Sequence, residues 1–302
     1  MKDTEATLDR SELEGASPGG RSPTAMALRR LFRSHTAVAG LAITGVLVVT
    51  GLLAPWIAPH EYWRISREAV MQAPGAIPGH ALGTDELGRD VLSRLVYGAQ
   101  ISLLLGVGAT GVAVVLGVIV GAVSGYFGGW LDSLLQRVTD TFMAMPTMLV
   151  AISVTAIMER PTLASLFLIM GFLSWTTVSR VVRGQVLSLR ENDYAVAARS
   201  LGAGDGRILF RHLLPNCMGP IVVLATLLVA GMILFEAGLS FLGLGVQPPY
   251  PSWGRMLLDA KPYMEESPWL MVYPGAAIVL TVLGLNFFGD GLRDAFDPRM
   301  KV

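Results

Sequence analysis

Residues 193–216 read DYAVAARSLGAGDGRILFRHLLPN, a polar and basic stretch in a chain that is otherwise strongly apolar. Small residues stand where an ordinary amphipathic helix would carry leucine, and alanine costs little to order in a helix. The sequence predicts a first helix that Gly202 stops in a left-handed cap, then a second helix that Asp205 caps and Pro215 ends. This helix-turn-helix elbow has a small, complementary surface that suits insertion into a groove of another protein.

The composition indicates an integral membrane protein. Of the 302 residues, 52% are apolar and only 15% are charged, whereas about a quarter of the residues of a soluble domain are charged. A single cysteine excludes an intrachain disulfide. The formal net charge of zero gives no indication of a nucleic-acid partner, and none is predicted.

Six uncharged stretches are long enough to cross about 30 Å of hydrocarbon, which takes roughly 20 helical residues. They are continuous apolar runs, not the alternating pattern of a membrane barrel. The predicted fold class is therefore all-α integral membrane, with six transmembrane helices. The predicted spans cover residues 37–59, 101–125 (within the longer run 95–131), 141–158, 161–179, 213–235 and 267–289.

The distribution of lysine and arginine predicts the orientation, because cytoplasmic loops are enriched in both. Most of the 23 basic residues fall on one set of segments, which places both termini and the elbow in the cytoplasm. The predicted organisation is a disordered cytoplasmic tail (1–25), a first transmembrane helix with an outer segment (26–94), and a five-helix core (95–302) with the elbow loop at about 183–212. A second outer segment, 237–268, is apolar and is predicted to be re-entrant or packed on the helices.

Charged and small residues in the first outer segment suggest a short helix. Thr84 is predicted to cap it, with Asp85 and Glu86 in its first turn, a favourable dipole arrangement. Arg89 and Asp90 follow. The helix either contacts a partner protein or its charges pair among themselves.

Three glycines recur every four residues in the second span, at Gly117, Gly121 and Gly125. They lie on one helix face and permit close approach of another backbone. The face packs against another helix of this chain or, alternatively, against another subunit, and we favour the first.

One acidic residue, Glu236, directly follows the fifth uncharged run. An ionisable group near membrane depth is a candidate for function, so Glu236 and the nearby Ser240 are candidate residues of a substrate pathway. The alternative, that Glu236 lies at the outer interface or pairs with a neighbour, is favoured slightly.

No catalytic motif is present in the sequence. It contains neither the GxxxxGK[ST] phosphate-binding loop nor the HExxH zinc motif. The four histidines stand singly and are not predicted to bind a metal. The sequence therefore favours a transporter subunit or a channel over an enzyme. A self-contained secondary transporter should show internal repeats and paired intramembrane charges, and no clear repeat is found.

The elbow resembles the "EAA" loop of permease subunits in ATP-binding-cassette (ABC) importers, which docks in a cleft of the cytoplasmic ATPase. The matching residues are Ala197, Ala198, Gly202, Leu214 and Pro215, and Val196 stands where that family has its glutamate. The resemblance implies a type I ABC importer permease fold and a set of ATPase-coupling residues. That set is Asp193, Tyr194, Ala197, Ala198, Arg199, Gly202, Ala203, Asp205, Arg211 and Pro215.

Four further stretches resemble the C-type permease of dipeptide and oligopeptide importers: HALGTDELGRDVLSRLVYGAQISL (80–103), RVTDTFMAMPTMLVAI (137–152), LSFLGLGVQPPYPSWGRML (239–257) and NFFGDGLRDAFDPR (286–299). The resemblance implies a subunit of the bacterial inner membrane, in contact with lipid and without a cofactor of its own. The implied partners are a B-type permease, two ABC ATPase subunits that bind ATP and Mg²⁺, and an extracytoplasmic peptide-binding protein. Nickel and glutathione importers share this scaffold and remain alternatives.

Overall fold

The computed structural model describes residues 29–158 and 161–296, and within these ranges the chain forms helices and turns without a β-strand. The predicted tail 1–25 lies outside the described residues. The helices are α1 (His35–Leu52), α2 (Ala54–Ile57), α3 (Val91–Phe127), α4 (Gly129–Ala144), α5 (Thr147–Ile157), α6 (Leu163–Leu189), α7 (Asp193–Ser200), α8 (Asp205–Phe241), α9 (Trp253–Ala260) and α10 (Trp269–Phe296). The predicted all-α fold class is confirmed. Residue 94, where the predicted outer segment ends, lies in the first turn of α3.

Five of these helices, α1, α3, α6, α8 and α10, are each long and apolar enough to cross a membrane. The third predicted span is not a continuous helix. It is formed by α4 and α5, whose axes differ by 80°. Met145, between them, is extended with ψ of 132°, because the ring of Pro146 disfavours the helical conformation of the preceding residue. The described part of the chain therefore has six candidate spans if this bent pair crosses as one.

The α3–α6 contact uses the glycine face of α3. A Cβ on Gly117 would lie 2.5 Å from the Cβ of Val178, and one on Gly121 would lie 2.4 Å from the carbonyl oxygen of Ser179. Gly125 meets the backbone of α6 in the same way. The prediction that this face packs within the chain is confirmed.

The first span packs against the last. A Cβ on Gly40 of α1 would lie 2.5 Å from the backbone nitrogen of Phe288 of α10, and one on Gly291 would lie 2.2 Å from the Cβ of Ala37. Such approaches are possible only with glycine at both positions. The predicted N-terminal unit is therefore joined to the helical core through α10.

The first outer segment contains turns where a capped helix was predicted. Thr84 does not cap a helix: its hydroxyl accepts from the backbone amide of Gln72 (3.0 Å), and Asp90 is the N-cap of α3 through Ser93 (2.7 Å). The turn requires Gly88, which has φ of +75°. A Cβ at this position would lie 1.9 Å from the backbone oxygen of Ser66. The prediction failed because threonine and aspartate are both good caps, and the glycine-dependent turn selects the second.

The second outer segment packs on the helices, as predicted. Trp253 at the start of α9 is 1% exposed. Its ring nitrogen donates to the carbonyl of Leu95 (3.1 Å) and its backbone amide donates to the hydroxyl of Ser102 (3.2 Å). Gly98 leaves room for the indole, since a Cβ there would lie 2.9 Å from the ring. The segment is thereby fixed to α3.

Candidate functional site

The elbow, residues 193–216, contains α7, a tight turn and the first part of α8. The amide of Gly202 donates to the carbonyl of Arg199 (3.0 Å), and that of Ala203 donates to the carbonyl of Ala198 (3.1 Å). These two bonds are the Schellman pattern at a helix C-terminus. Gly202 has φ of +80°, a conformation that glycine adopts without steric cost. The predicted stop at Gly202 is confirmed.

The second helix of the elbow differs from the prediction in two respects. Gly204 is the N-cap, without a side-chain bond, and Asp205 is the first helical residue. The Asp205 carboxylate instead accepts a hydrogen bond from the hydroxyl of Tyr126 (2.7 Å). Pro215 does not end the helix, because α8 runs on into the fifth span. A wide π-helical stretch, Ile208–Leu213, ends two residues before this proline, which lacks an amide hydrogen.

The inner face of the elbow is buried against the ends of α3 and α6. Ala195 is 1% exposed and Ile208 is fully buried. The cluster that they join also contains Tyr126, Val182, Val186, Leu209 and Leu213. The sequence reasoning did not single out Ala195, although its spacing of three from Ala198 is the helical repeat that marks a buried stripe.

The outer face of the elbow carries the predicted coupling residues. Two of the ten are half-buried, Ala198 and Ala203. The other eight are exposed: Asp193, Tyr194, Ala197, Arg199, Gly202, Asp205, Arg211 and Pro215. Large apolar side chains lie among them: Leu201 is 88% exposed, Val196 is 50% exposed, and Phe210, which the sequence reasoning missed, is 71% exposed. Exposed apolar side chains beside small and basic residues give this face the character of a protein contact surface.

Tyr126, near the end of α3, connects the elbow to the helical core. Its ring is 6% exposed, its hydroxyl donates to Asp205, and the guanidinium carbon of Arg199 lies 5.8 Å from the ring centroid, within cation–π range. Arg190 donates to the carbonyl of Gly125 (2.9 Å), one of the last carbonyls of α3. The elbow is thus bonded to α3 by contacts from both of its helices.

A second polar contact near the elbow joins α4 to α6. The guanidinium of Arg183 donates two hydrogen bonds to Asp132, at 2.7 and 2.6 Å. Such bidentate pairs fix orientation as well as distance. The exposed pair Arg180–Asp140, at 2.6 Å, is open to solvent and contributes little to stability.

The two candidate pathway residues, Glu236 and Ser240, come together in a buried polar cluster. The Glu236 carboxylate accepts from the hydroxyls of Ser240 (2.6 Å), Ser252 (2.8 Å) and Ser102 (3.4 Å). Glu236 and Ser240 are each 1% exposed. The cluster joins α8, α3 and the start of α9, which agrees with the alternative that Glu236 pairs with its neighbours. A role in the pathway stays a prediction.

Several charged residues of the two outer segments form one ion-pair network at the end of α3 opposite the elbow. Arg94 contacts Asp85 and donates to Asp259 (3.0 Å), and Arg89 donates to Asp85 (2.7 Å). Arg255 completes the network through Asp259 (2.9 Å). The prediction that the outer charges pair among themselves is confirmed, and the network includes two residues of the second outer segment.

The expectation that the four histidines stand apart is wrong for two of them. The ring centroids of His60 and His80 lie 4.8 Å apart, and His80 forms a 2.9 Å ion-pair contact with Asp90. No sequence pattern predicts this contact, because the histidines are 20 positions apart and a folded loop brings them together.

The fold and the elbow together define a multi-pass membrane protein with an exposed elbow at one end of its bundle, an arrangement that transporter permease subunits share. The pattern of the family described as binding-protein-dependent transport system inner membrane component matches residues 113–302. The pattern described as the N-terminal TM domain of oligopeptide transport permease C matches residues 22–74.

Curated relatives match the chain over most of its length. It is 40% identical to the dipeptide transport system permease protein of Alkalihalophilus pseudofirmus, over 93% of this chain and 91% of the relative. It is also 40% identical to the oligopeptide transport system permease protein of Haemophilus influenzae, over 93% and 90%, and to the di/tripeptide transport system permease protein of Pseudomonas aeruginosa, over 88% of each.

The chain therefore belongs to the binding-protein-dependent transport system inner membrane component family. Its helices form the type I ABC permease fold. It is a multi-pass protein of the inner membrane.

Proposed function

We propose that this chain is a permease subunit of an ATP-driven importer of di- or oligopeptides. It forms half of the translocation pathway with a B-type permease. Two ABC ATPase subunits bind ATP and Mg²⁺, and an extracytoplasmic binding protein delivers the peptide. The observation that carries this proposal is the near full-length match to relatives whose names state peptide transport.

The elbow is the part of the chain that engages the ATPase. Its outer face offers Leu201 and Phe210, the two most exposed large apolar side chains of the elbow, among alanines that permit close approach. Its inner face is packed and hydrogen-bonded to α3 through Tyr126. Movement of the ATPase subunits on ATP binding thus displaces the elbow and α3 together, provided that the two transporter states bind ATP with different affinity.

The orientation follows from the same surface. Arg199, Arg207 and Arg211 are exposed on the elbow, and arginine is enriched in cytoplasmic loops. We infer that the elbow and both termini lie in the cytoplasm. Cysteine scanning with an impermeant thiol reagent tests this inference: with the chain expressed without its ATPase subunits, a cysteine at Leu201 should react in inverted vesicles and stay unreacted in intact cells.

Two substitutions in the elbow test the docking proposal. Ala197→Asp places a charge on the outer face, and Gly202→Leu forces a Cβ onto a residue with φ of +80°, at about 1–2 kcal/mol. Gly204→Ala is the matched control, because Gly204 has φ of −67° and open space around it. We expect the first two to prevent ATPase co-purification or to uncouple hydrolysis from transport, and the control to do neither. Normal transport by either assembled variant would show that the elbow is assigned wrongly.

The substrate is tested separately. A deletion strain should lose growth on defined di- or oligopeptides as sole source of a required amino acid, and the intact gene should restore it. Loss of nickel or glutathione uptake with normal peptide growth would favour those alternatives. Transport by the lone chain in liposomes would instead indicate a secondary transporter.

A further inference from the structure

We propose that His60, His80 and Asp90 bind one divalent transition-metal ion of the zinc class, at the end of α3 opposite the elbow. One nitrogen of each imidazole and one carboxylate oxygen of Asp90 all lie within 4.8 Å of one another. The three residues come from the segment after α2, the following loop and the N-cap of α3. The proposal does not depend on the transported substrate or on the role of the elbow.

The donor set suits this class of ion. Proteins bind zinc and related borderline metals with two imidazoles, one carboxylate and a further position for water. Zinc bonds of about 2.0–2.2 Å in tetrahedral geometry place the donors about 3.4 Å apart. The widest separation of 4.8 Å therefore has to shorten by roughly 1.4 Å, which small rotations of the imidazoles supply.

Hydrogen bonds already orient the carboxylate and both imidazoles, since Nε2 of His60 lies 3.1 Å from the carbonyl oxygen of Gly79. One oxygen of Asp90 accepts from both the amide and the hydroxyl of Ser93, each at 2.7 Å. Its other oxygen faces Nδ1 of His80 at 2.9 Å. The backbone amide of His60 donates to the same Ser93 hydroxyl (3.0 Å). Such supporting bonds orient metal ligands and commonly accompany them.

The charge balance of the site also favours a cation. The side chain of Asp90 is 1% exposed, and in the described part of the chain its ion pair is with His80, which is charged only when protonated. The neighbouring Arg89 and Arg94 pair with other carboxylates. With neutral imidazoles, a buried carboxylate thus lacks a full counter-charge, and burying such a charge unpaired is costly.

The space beside the ligands admits an ion and water. His60, His80 and Asp90 line a cavity of about 120 Å³ together with Arg64, Ser66 and Gly88. A water takes about 30 Å³ of liquid volume, so the ion can keep water ligands. The Arg64 side chain is exposed, and it can hold its charge in solvent away from the metal.

Calorimetric titration of the full chain tests the proposal. The protein is purified in detergent with a tag free of histidine, stripped with EDTA, and titrated with Zn²⁺. We expect one Zn²⁺ per chain with a dissociation constant in the micromolar range or below. His60→Asn and His80→Asn should each weaken binding at least tenfold, and the control His212→Asn, in the elbow, should leave it unchanged.

Thermal unfolding of the same samples separates lost binding from lost folding. Zn²⁺ should raise the midpoint temperature of unfolding of the wild-type chain, because a ligand that binds the folded state stabilises it. His60→Asn should keep the metal-free midpoint and lose the rise. If His80→Asn unfolds because Asp90 loses its partner, His60→Asn and His60→Gln carry the test. The absence of saturable binding, or binding that survives the loss of His60, would overturn the proposal.

Discussion

Removing one hydroxyl from Tyr126 tests whether the elbow and α3 form one mechanical unit. In Tyr126→Phe the ring keeps its buried position and its place beneath Arg199, while the 2.7 Å hydrogen bond to Asp205 is lost. The substitution therefore removes the polar contacts of one hydroxyl, of which the bond between the end of α3 and the second helix of the elbow is the closest described.

The expected loss of unfolding free energy in Tyr126→Phe follows from the surroundings of the two hydrogen-bond partners. A hydrogen bond to a charged group contributes about 1.5–3 kcal/mol when both partners are buried. Asp205 is exposed and stays hydrated in the variant, so we expect about 1 kcal/mol, which is roughly a fivefold change in an equilibrium constant. Tyr194→Phe, at an exposed tyrosine on the elbow, is the matched control and should change the free energy of unfolding by less than about 0.5 kcal/mol.

A double-mutant cycle with Asp205→Ala measures the bond itself. Asp205→Ala also removes a favourable charge from the first turn of α8, and this contribution cancels in the cycle. Unfolding by sodium dodecyl sulfate in mixed micelles should give a coupling energy of about 1 kcal/mol. In the reconstituted importer, Tyr126→Phe should lower the amount of peptide transported per ATP hydrolysed. Strict additivity within about 0.3–0.5 kcal/mol, with an unchanged transport ratio, would refute the coupling.

Three further predictions concern the packing and the buried charges. Gly121→Ala places a Cβ 2.4 Å from a carbonyl oxygen of α6 and should lower the unfolding free energy by about 1–3 kcal/mol, whereas Gly111→Ala, with open space around it, should leave thermal stability equal or higher. Glu236→Ala leaves three serine hydroxyls without their acceptor and should cost at least about 2 kcal/mol in the same assay; Glu236→Gln, which keeps an acceptor oxygen, should cost less. Burial, and then a neighbouring carboxylate, raise the pKa of Glu86 above its ordinary 4.5. The folded state therefore favours the protonated form of Glu86. The contribution of this group to the free energy of unfolding is complete below pH 4.5 and is lost as the pH rises through the raised pKa. Glu86→Gln should remove this loss in chemical unfolding measured from pH 4.5 to 7, and an unchanged pH profile would contradict the assignment.

The spans could be predicted because the apolar runs are continuous and a helix satisfies its own backbone in lipid. The prediction failed locally where one residue changes the backbone. Pro146 breaks the third span into α4 and α5, and the charged residues after residue 179 do not end α6, which runs on to Leu189. Arginine is itself a good helix former, and the guanidinium of Arg183 donates to Asp132 of α4, a partner that lies 51 residues earlier in the sequence.

The elbow was predictable to the extent that its turn is local. Gly202 closes α7 through bonds to residues within five positions, and such patterns can be read from sequence. The contacts that bind the elbow to the bundle are not local: Tyr126 and Asp205 are 79 residues apart. The same holds for the serines around Glu236, one of which is 134 residues distant. Sequence patterns thus identified the surface of the elbow and missed its attachment.

The helix α3 connects the two ends of the molecule where polar contacts concentrate. Its 37 residues span about 55 Å at 1.5 Å per residue. Arg94 and Ser102 hold its first half to the outer segments, and Tyr126 holds its last turn to the elbow. Between them its glycine face fits against α6 too closely for either helix to slide alone. We therefore expect a force applied to the elbow to act on α3 and α6 together, and the outer segments, which are fixed to α3, to move with them.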